Sequence, residues 1–344
     1  MAIRWAPLRL PMRRRLQTAA VVLTGLLIPG TVAAVVLAAV LHPTCRLLLL
    51  LYIAWAFLID SATPWRGGRP SRWLRGCALF RQAANYFPSR LRIHPSATAA
   101  ARGSEPAILC CHPHGVLSAG VLSTLAFNSG EAELGRYRIA TISLNVIFPV
   151  WREFMLGLGM IDASPVSIIY CLQKGISVVV VVGGAVEALD AAPGTVALTL
   201  DKRRGFVRLA LQTGVPLIPA FVFGENELFG NLGRDVGIGG TSYFRILQMG
   251  IKRVTGFTVP FVRGRGIFQY DAGILPRRVP LSVVCGPPLP ARRILQPTEA
   301  DVAELHSLYI EALKALYAEH ASRYAAPTDW SGRVLPIPPL EIVR

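Results

Sequence analysis

Two histidines flank a proline at His112-Pro113-His114-Gly115, and this stretch is the one best equipped to move a proton. Imidazole titrates near neutral pH and is the usual general acid or base there. The apolar run Ala107–Leu109 reads as a buried strand leading into it. Pro113 has no backbone N–H, so sheet pairing stops there. Gly115 admits backbone angles closed to other residues and a close approach of ligand. A base needs a group to fix its tautomer and stabilise its cation. Glu187, after the valine run Ser177–Val182 and the pair Gly183-Gly184, is the leading candidate. Glu225 and Glu227, after the apolar run Leu217–Val222, are weaker ones.

A second chemistry competes at the same place. Cys110, His112 and His114 alternate, so an unbroken strand would put them on one face, where they could hold zinc. Pro113 interrupts that alternation and no fourth ligand is evident, so metal is the minor reading. The chain has no Gly-x-Ser-x-Gly elbow, no Walker loop and no complete Gly-x-Gly-x-x-Gly. Cys110 and Cys111 lie in an apolar strand, which suits packed thiols rather than nucleophiles. Downstream, Lys202-Arg203-Arg204 precedes a helix opening near Gly205, with Arg208 one turn on. Basic side chains and free helix N–H groups make an anion site.

The elements that must position these groups follow from periodicity. Strands are predicted at Ile139–Leu144, Ser177–Val182, Val196–Leu200, Leu217–Val222 and Pro280–Val284. Helices are predicted at Leu117–Phe127, Val150–Leu158, Val166–Lys174, Gly205–Gly214 and Thr298–Tyr324. Such alternation argues for an α/β fold with a mixed, largely parallel sheet flanked by helices. Ligands of such sheets bind at the carboxyl ends of the strands, where the His motif, Glu187 and Glu225 all follow.

Before the sheet comes an apolar region. Residues 18–41 carry no charge, and a second apolar run, Leu47–Ile59, follows His42-Pro43. Together they predict a transmembrane or re-entrant helical hairpin. Arg4 to Arg15 precede it and Arg66 to Arg75 follow it, so both flanks are expected on the cytosolic side. The expected division is a basic N-terminus (1–17), a hairpin (18–63), a basic interfacial connector (64–106), a catalytic domain (107–326) and an irregular tail (327–344). Net charge is +16 and apolar residues make up 52% of the chain. With basic residues scattered and no zinc-finger or RNA-binding pattern, a membrane surface or phosphate-bearing substrate is expected rather than nucleic acid. The six cysteines show no framework spacing, which suits free thiols in a reducing compartment.

The motifs together resemble the type-2 diacylglycerol acyltransferase family, which also holds monoacylglycerol and wax-alcohol acyltransferases. The matching pieces are Tyr86-Phe87-Pro88, His112-Pro113-His114-Gly115, Pro149-x-x-Arg152-Glu153 and Val181-Val182-Gly183-Gly184-Ala185-x-Glu187. They continue with Arg204-Gly205-Phe206-Val207, Phe223-Gly224-Glu225-Asn226-Glu227 and Gly264-Arg265-Gly266. The resemblance implies a glycerolipid-acyltransferase-like fold at the endoplasmic reticulum membrane or a lipid droplet. It implies transfer of a fatty acyl group from acyl-coenzyme A, a co-substrate with no separate cofactor, to a neutral lipid hydroxyl. Diacylglycerol is the expected acceptor and triacylglycerol the product, with monoacylglycerol or a long-chain alcohol as the alternative. A zinc-dependent lipid hydrolase or a non-catalytic lipid-droplet protein stands behind these, and a homo-oligomer is compatible with the sequence.

The resemblance makes a His of the motif the base: His114 first, His112 second. Related glycerolipid acyltransferases place an Asp five residues beyond their His. Leu117 and Ala119 occupy those positions here, so Glu187 is expected to take that part. Gly115, Gly183 and Gly184 are the oxyanion candidates, and Lys202, Arg203, Arg204 and Arg208 the expected ligands of coenzyme A phosphates. Asn145-Val-Ile-Phe148 lacks the basic residue expected after the Phe.

Overall fold

The computed structural model describes residues 3–102, 106–127, 134–231, 250, 253, 262–325, 327–328 and 333–343. Its centre is a seven-stranded sheet in the order β1-β10-β7-β2-β5-β3-β4. The strands are β1 (Ser89–Ile93), β2 (Ile108–His112), β3 (Tyr137–Thr141), β4 (Met160–Asp162), β5 (Ser177–Val181), β7 (Leu217–Phe223) and β10 (Leu281–Cys285). Neighbours run parallel except β10 and β7, which pair antiparallel with Ser282 opposite Phe223. The mixed, largely parallel sheet expected from the sequence is therefore present. Outside it, β6 (Val196–Thr199) pairs with β11 (Leu340–Val343), and β8 (Gly230–Asn231) with β9 (Val262–Arg263).

The central strands are continuous β-branched and apolar runs because both faces are covered. In β2, Ile108 and Cys110 point into one core and Leu109 and Cys111 into the other. The first core is closed by α5 (Pro165–Gln173), α7 (Gly205–Thr213) and α8 (Glu299–Tyr324). The second is closed by α3 (Ala78–Tyr86), the turn Ala119–Ala126 and α4 (Trp151–Gly157). Helix α8 starts with a reciprocal capping box between Thr298 and Asp301.

Several boundaries differ from the sequence expectation. Residues 64–106, read as an interfacial connector, contain α3 and the edge strand β1, in register with β10 from Ser89–Leu281 to Ile93–Cys285. β1 alternates half-buried and exposed positions, and its arginines Arg90 and Arg92 disguise it as a solvated loop. The tail, read as irregular, ends in β11, which forms once the prolines stop at Pro339. Residues 117–127 do not form one helix. A loop runs to Ser118, followed by Ala119–Val121 and the π-helical turn Leu122–Ala126. Ile139–Leu144 is not one strand either: β3 stops at Thr141, and Ser143–Ile147 is helical.

The apolar N-terminal region forms α1 (Met12–Leu41) and α2 (Pro43–Ala54). Pro29 lacks the N–H and crowds the preceding turn, and the arms Met12–Leu27 and Pro29–Leu41 are bent 41° from each other. No single helix among the described residues is long and apolar enough to cross a membrane, although the two arms pass that test together. Arg46 closes the turn by donating to the Ala39 and Val40 carbonyls at 3.1 and 3.0 Å. The hairpin is fastened to the sheet by an ionic network. Buried Arg152 donates to Asp60 Oδ2 at 2.8 Å, Arg69 binds Asp60 and Glu153, and the Tyr52 hydroxyl donates to Glu153 at 2.9 Å. The Pro149-x-x-Arg152-Glu153 motif thus joins hairpin to sheet.

Candidate active site

Three adjacent strands, β7, β2 and β5, deliver the site at their carboxyl ends. β2 runs into His112, and the His112–Pro113 peptide is cis. β5 leads to Gly183 and the helix α6 (Gly184–Asp190), which carries Glu187, and β7 leads to Glu225.

The two histidines are separated by this geometry. The His112 ring is fully buried and turned toward α8, with Nε2 2.9 Å from the Tyr309 hydroxyl. Tyr309 in turn donates to the Cys110 carbonyl at 3.4 Å. Burial pushes the His112 pKa down to about 3, so the ring is neutral. His114 is half-buried on the loop. Its Nδ1 lies 2.9 Å from the Gly115 carbonyl oxygen, which can only accept. Nδ1 therefore carries the hydrogen and Nε2 the lone pair. Burial lowers its pKa below the ordinary histidine value, against the smaller opposing effect of the Gly115 carbonyl. His114 thus presents a neutral imidazole with Nε2 available as acceptor.

Glu187 reaches the loop, but at the main chain rather than at the ring. Its Oε1 accepts the His114 backbone N–H at 2.6 Å and its Oε2 accepts that of Thr199 at 3.2 Å. Glu225 grips the far end of the same loop, accepting the N–H groups of Ala119 and Gly120 at 2.8 Å each. Both carboxyls are 2% exposed, and burial pushes both up to about 7 despite these hydrogen bonds. Two glycines make the clamp possible. A Cβ at Gly115, whose φ is +57°, would strike the Glu225 side chain, and one at Gly183 would overlap the Glu187 carboxylate. Gly184 opens α6 with φ +63°. Glu227, the other weaker candidate, binds main chain outside the His loop, holding the Gly194 and Thr328 amides at 2.8 and 3.2 Å.

The predicted phosphate ligands divide. Arg203 borders the site, its guanidinium 3.4 Å from the Gly183 carbonyl. Lys202 is exposed beside it. Arg204 turns back to the Asp201 carbonyl at 3.3 Å. Arg208 is tied to the start of α8 through Glu299 at 2.6 Å and the Pro297 carbonyl at 3.3 Å. Cys110, His112 and His114 do not converge, and no group of three or more metal-ligating side chains forms among the described residues. Burial pushes the Cys110 and Cys111 thiols far up, away from the thiolate a nucleophile needs.

Sequence reasoning missed Tyr309 and His306. Both lie on a face of α8 whose leucine spacing marks it only as a packing surface. His306 is buried beside Arg204 with Nε2 unpartnered among the described residues. Nothing local could identify Tyr309, 197 residues from its partner.

The diacylglycerol acyltransferase family model matches residues 38–333. The chain belongs to the diacylglycerol acyltransferase family. It is 38% identical to 2-acylglycerol O-acyltransferase 1 of Bos taurus, over 96% of this chain and 98% of the relative. To diacylglycerol O-acyltransferase 2A of Umbelopsis ramanniana it is 36% identical, over 94% and 91%. To diacylglycerol O-acyltransferase 2 of Bos taurus it is 33% identical, over 88% and 83%. Each motif quoted from Tyr86 to Gly266 lies inside the span matched by the diacylglycerol acyltransferase model.

Proposed function

We propose that this chain transfers a fatty acyl group from acyl-coenzyme A to the free hydroxyl of diacylglycerol, with His114 as general base. The observation that carries the assignment is the His114 ring: a lone pair at Nε2, on a loop clamped by two buried carboxylates, in a member of this family. The acceptor oxygen attacks the thioester carbonyl carbon while Nε2 takes its proton. The tetrahedral oxyanion is met by backbone N–H groups near Gly115, with Gly183 and Gly184 as further candidates. Collapse breaks the C–S bond, and the coenzyme A thiolate leaves and takes the proton from the imidazolium. No enzyme nucleophile is required. Glu187 acts through the main chain, holding the loop and adding negative charge near the cation. His112 holds β2 to α8 through Tyr309. Arg203 and Lys202 are the proposed phosphate ligands beside Gly183, with Arg204 just before α7 and Arg208 on it.

The hairpin is assigned to the membrane because Leu47, Leu50, Leu51, Leu58 and other apolar side chains on it are more than half exposed. An open apolar groove of about 570 Å³ between α1 and the side chains of Phe148 and Trp151 offers a surface for a lipid chain. The endoplasmic reticulum or lipid droplet is the assigned location, with the sheet on the cytosolic side. A second reading, monoacylglycerol as acceptor, is favoured by the 38% identity to the 2-acylglycerol enzyme.

Full-length protein in membranes, given labelled oleoyl-coenzyme A with diacylglycerol, monoacylglycerol or a long-chain alcohol, separates these readings. Triacylglycerol is expected, reduced by about a hundredfold or more in His114→Ala. Ester formed only from monoacylglycerol would change the acceptor and keep the mechanism. Undiminished turnover in folded His114→Ala would remove the base.

A further inference from the structure

Two of the motifs take no part in the transfer chemistry, and they meet at one place. Tyr86 of Tyr-Phe-Pro is fully buried and donates to the Pro276 carbonyl at 2.7 Å. Arg265 of Gly-Arg-Gly hydrogen bonds to that tyrosine. The Arg278 guanidinium lies over its ring, 5.3 Å from the centroid, and donates to Gln17, which is buried on α1. One turn before Gln17, Arg13 and Arg14 stand exposed in the first turn of α1.

The charges gathered here are of one sign. Burial and the positive charges of Arg14, Arg265 and Arg13 lower the proton affinity of Arg278. No acidic residue stands in the first turn of α1, where the helix dipole is itself positive. Among the described residues no carboxylate pairs with Arg13, Arg14, Arg265 or Arg278, and nearby Asp271 is taken by Arg4 at 2.6 Å. Beside the cluster, residues 4–6 pair with residues 268–270. That lobe leaves Trp5 68%, Leu8 91% and Phe268 73% exposed. Aromatic and apolar side chains among arginines match the interfacial layer of a bilayer. The cluster stands at the start of β10, which is the His114 end of the sheet, and Phe87 shares a small apolar cluster with Ala119 of the loop that follows His114.

We propose that this lobe docks on anionic phospholipid, with a headgroup phosphate held among Arg13, Arg14 and Arg278 while Trp5, Leu8 and Phe268 enter the interface. Buried Arg265, held by the Gly266 and Ile267 carbonyls, adds positive charge behind them. The inference rests on the membrane reading of the hairpin and is independent of which hydroxyl accepts the acyl group. The docking turns the catalytic end of the sheet toward the leaflet that supplies the acceptor.

The test uses purified full-length protein in detergent, titrated with dioctanoyl phosphatidylserine or dioctanoyl phosphatidylcholine, with retained lipid read by native mass spectrometry. The variant is Arg13→Gln/Arg14→Gln, with Arg13→Lys/Arg14→Lys as the charge-conserving control. Both positions are exposed, and a melting curve checks the fold. Losing two arginines is expected to weaken phosphatidylserine binding about thirtyfold and to leave phosphatidylcholine binding unchanged. The lysine control is expected to restore it, and the KM for acyl-coenzyme A in phosphatidylcholine nanodiscs is expected to stay the same. Equal phosphatidylserine affinity in wild type and the Gln variant would overturn the proposal. So would a raised acyl-coenzyme A KM with unchanged lipid affinity, which would give the arginines to the coenzyme. Lipid retention is read without turnover, so a failure of the acyl-transfer reading would be seen separately.

Discussion

At the residue scale the site turns on two carboxyls that bind main chain. Both Glu187 and Glu225 titrate near 7 in the folded chain, raised from 4.5 by burial. Their contribution to folding is therefore fully present below about 4.5 and lost as pH rises through about 7. The loop, however, is gripped best by the charged forms, since charge-assisted hydrogen bonds are roughly twice as strong as neutral ones. Activity is thus expected to rise with pH through about 7. In Glu187→Gln/Glu225→Gln that limb should shift to the lower range where His114 titrates, with kcat reduced. A pH–rate profile checks this, and an unshifted limb would mean the carboxyls do not control the loop. Cys110→Ala and Cys111→Ala are expected to keep turnover, because both thiols are packed and protonated. Loss of turnover in a folded variant would instead point to a covalent acyl-enzyme.

At the scale of elements, the hairpin joins the sheet domain by the packing of α1 on α3 and by a buried charge network. Arg152 is 2% exposed and satisfied by Asp60, Glu153 and the Val146 carbonyl. Removing one partner of a buried pair leaves the other uncompensated, typically at about 3–5 kcal/mol. Asp60→Ala is therefore expected to lower the melting temperature of the full chain sharply, and Asp60→Ala/Arg152→Met to recover part of it. A double-variant loss equal to the sum of the Asp60→Ala and Arg152→Met losses would mean the pair is not coupled. Val150 just before it has φ +67°, a costly conformation for a β-branched residue, and its N–H is held by Tyr52 at 3.0 Å. The edge strand β1 and the tail strand β11 escaped sequence reading for a different reason. Each is half-exposed and flanked by arginine or proline, so neither shows the continuous apolar run that marked β2, β5 and β7.

For the whole molecule, the chain's N-terminal segment touches the sheet domain directly. Trp5 bridges to Gln269 and Arg4 pairs with Asp271, so the start of α1 and the sheet domain share one side of any membrane the hairpin enters. Epitope tags at the two chain ends are expected to become accessible together when only the plasma membrane is permeabilised. Accessibility of one tag alone would contradict this packing. The net charge of +16 fits a molecule working against an anionic surface, and its docking is expected to weaken as salt is raised.

The sequence by itself determined the layered α/β architecture, because strands buried on both faces must be apolar throughout and helices between them must be amphipathic. It also determined that His114, Glu187 and Glu225 emerge at one end of the sheet, since parallel strands all deliver their following loops to that end. Only the tertiary structure decided which imidazole is sealed and which is presented. That choice depends on Tyr309 approaching from a helix 197 residues away. The tertiary structure likewise decided that Glu187 binds an amide 73 residues distant and Glu225 two amides 106 and 105 residues distant, rather than a ring. Periodicity records how buried a residue is. It carries no information on which atom fills the space opposite, and that atom sets the proton's position.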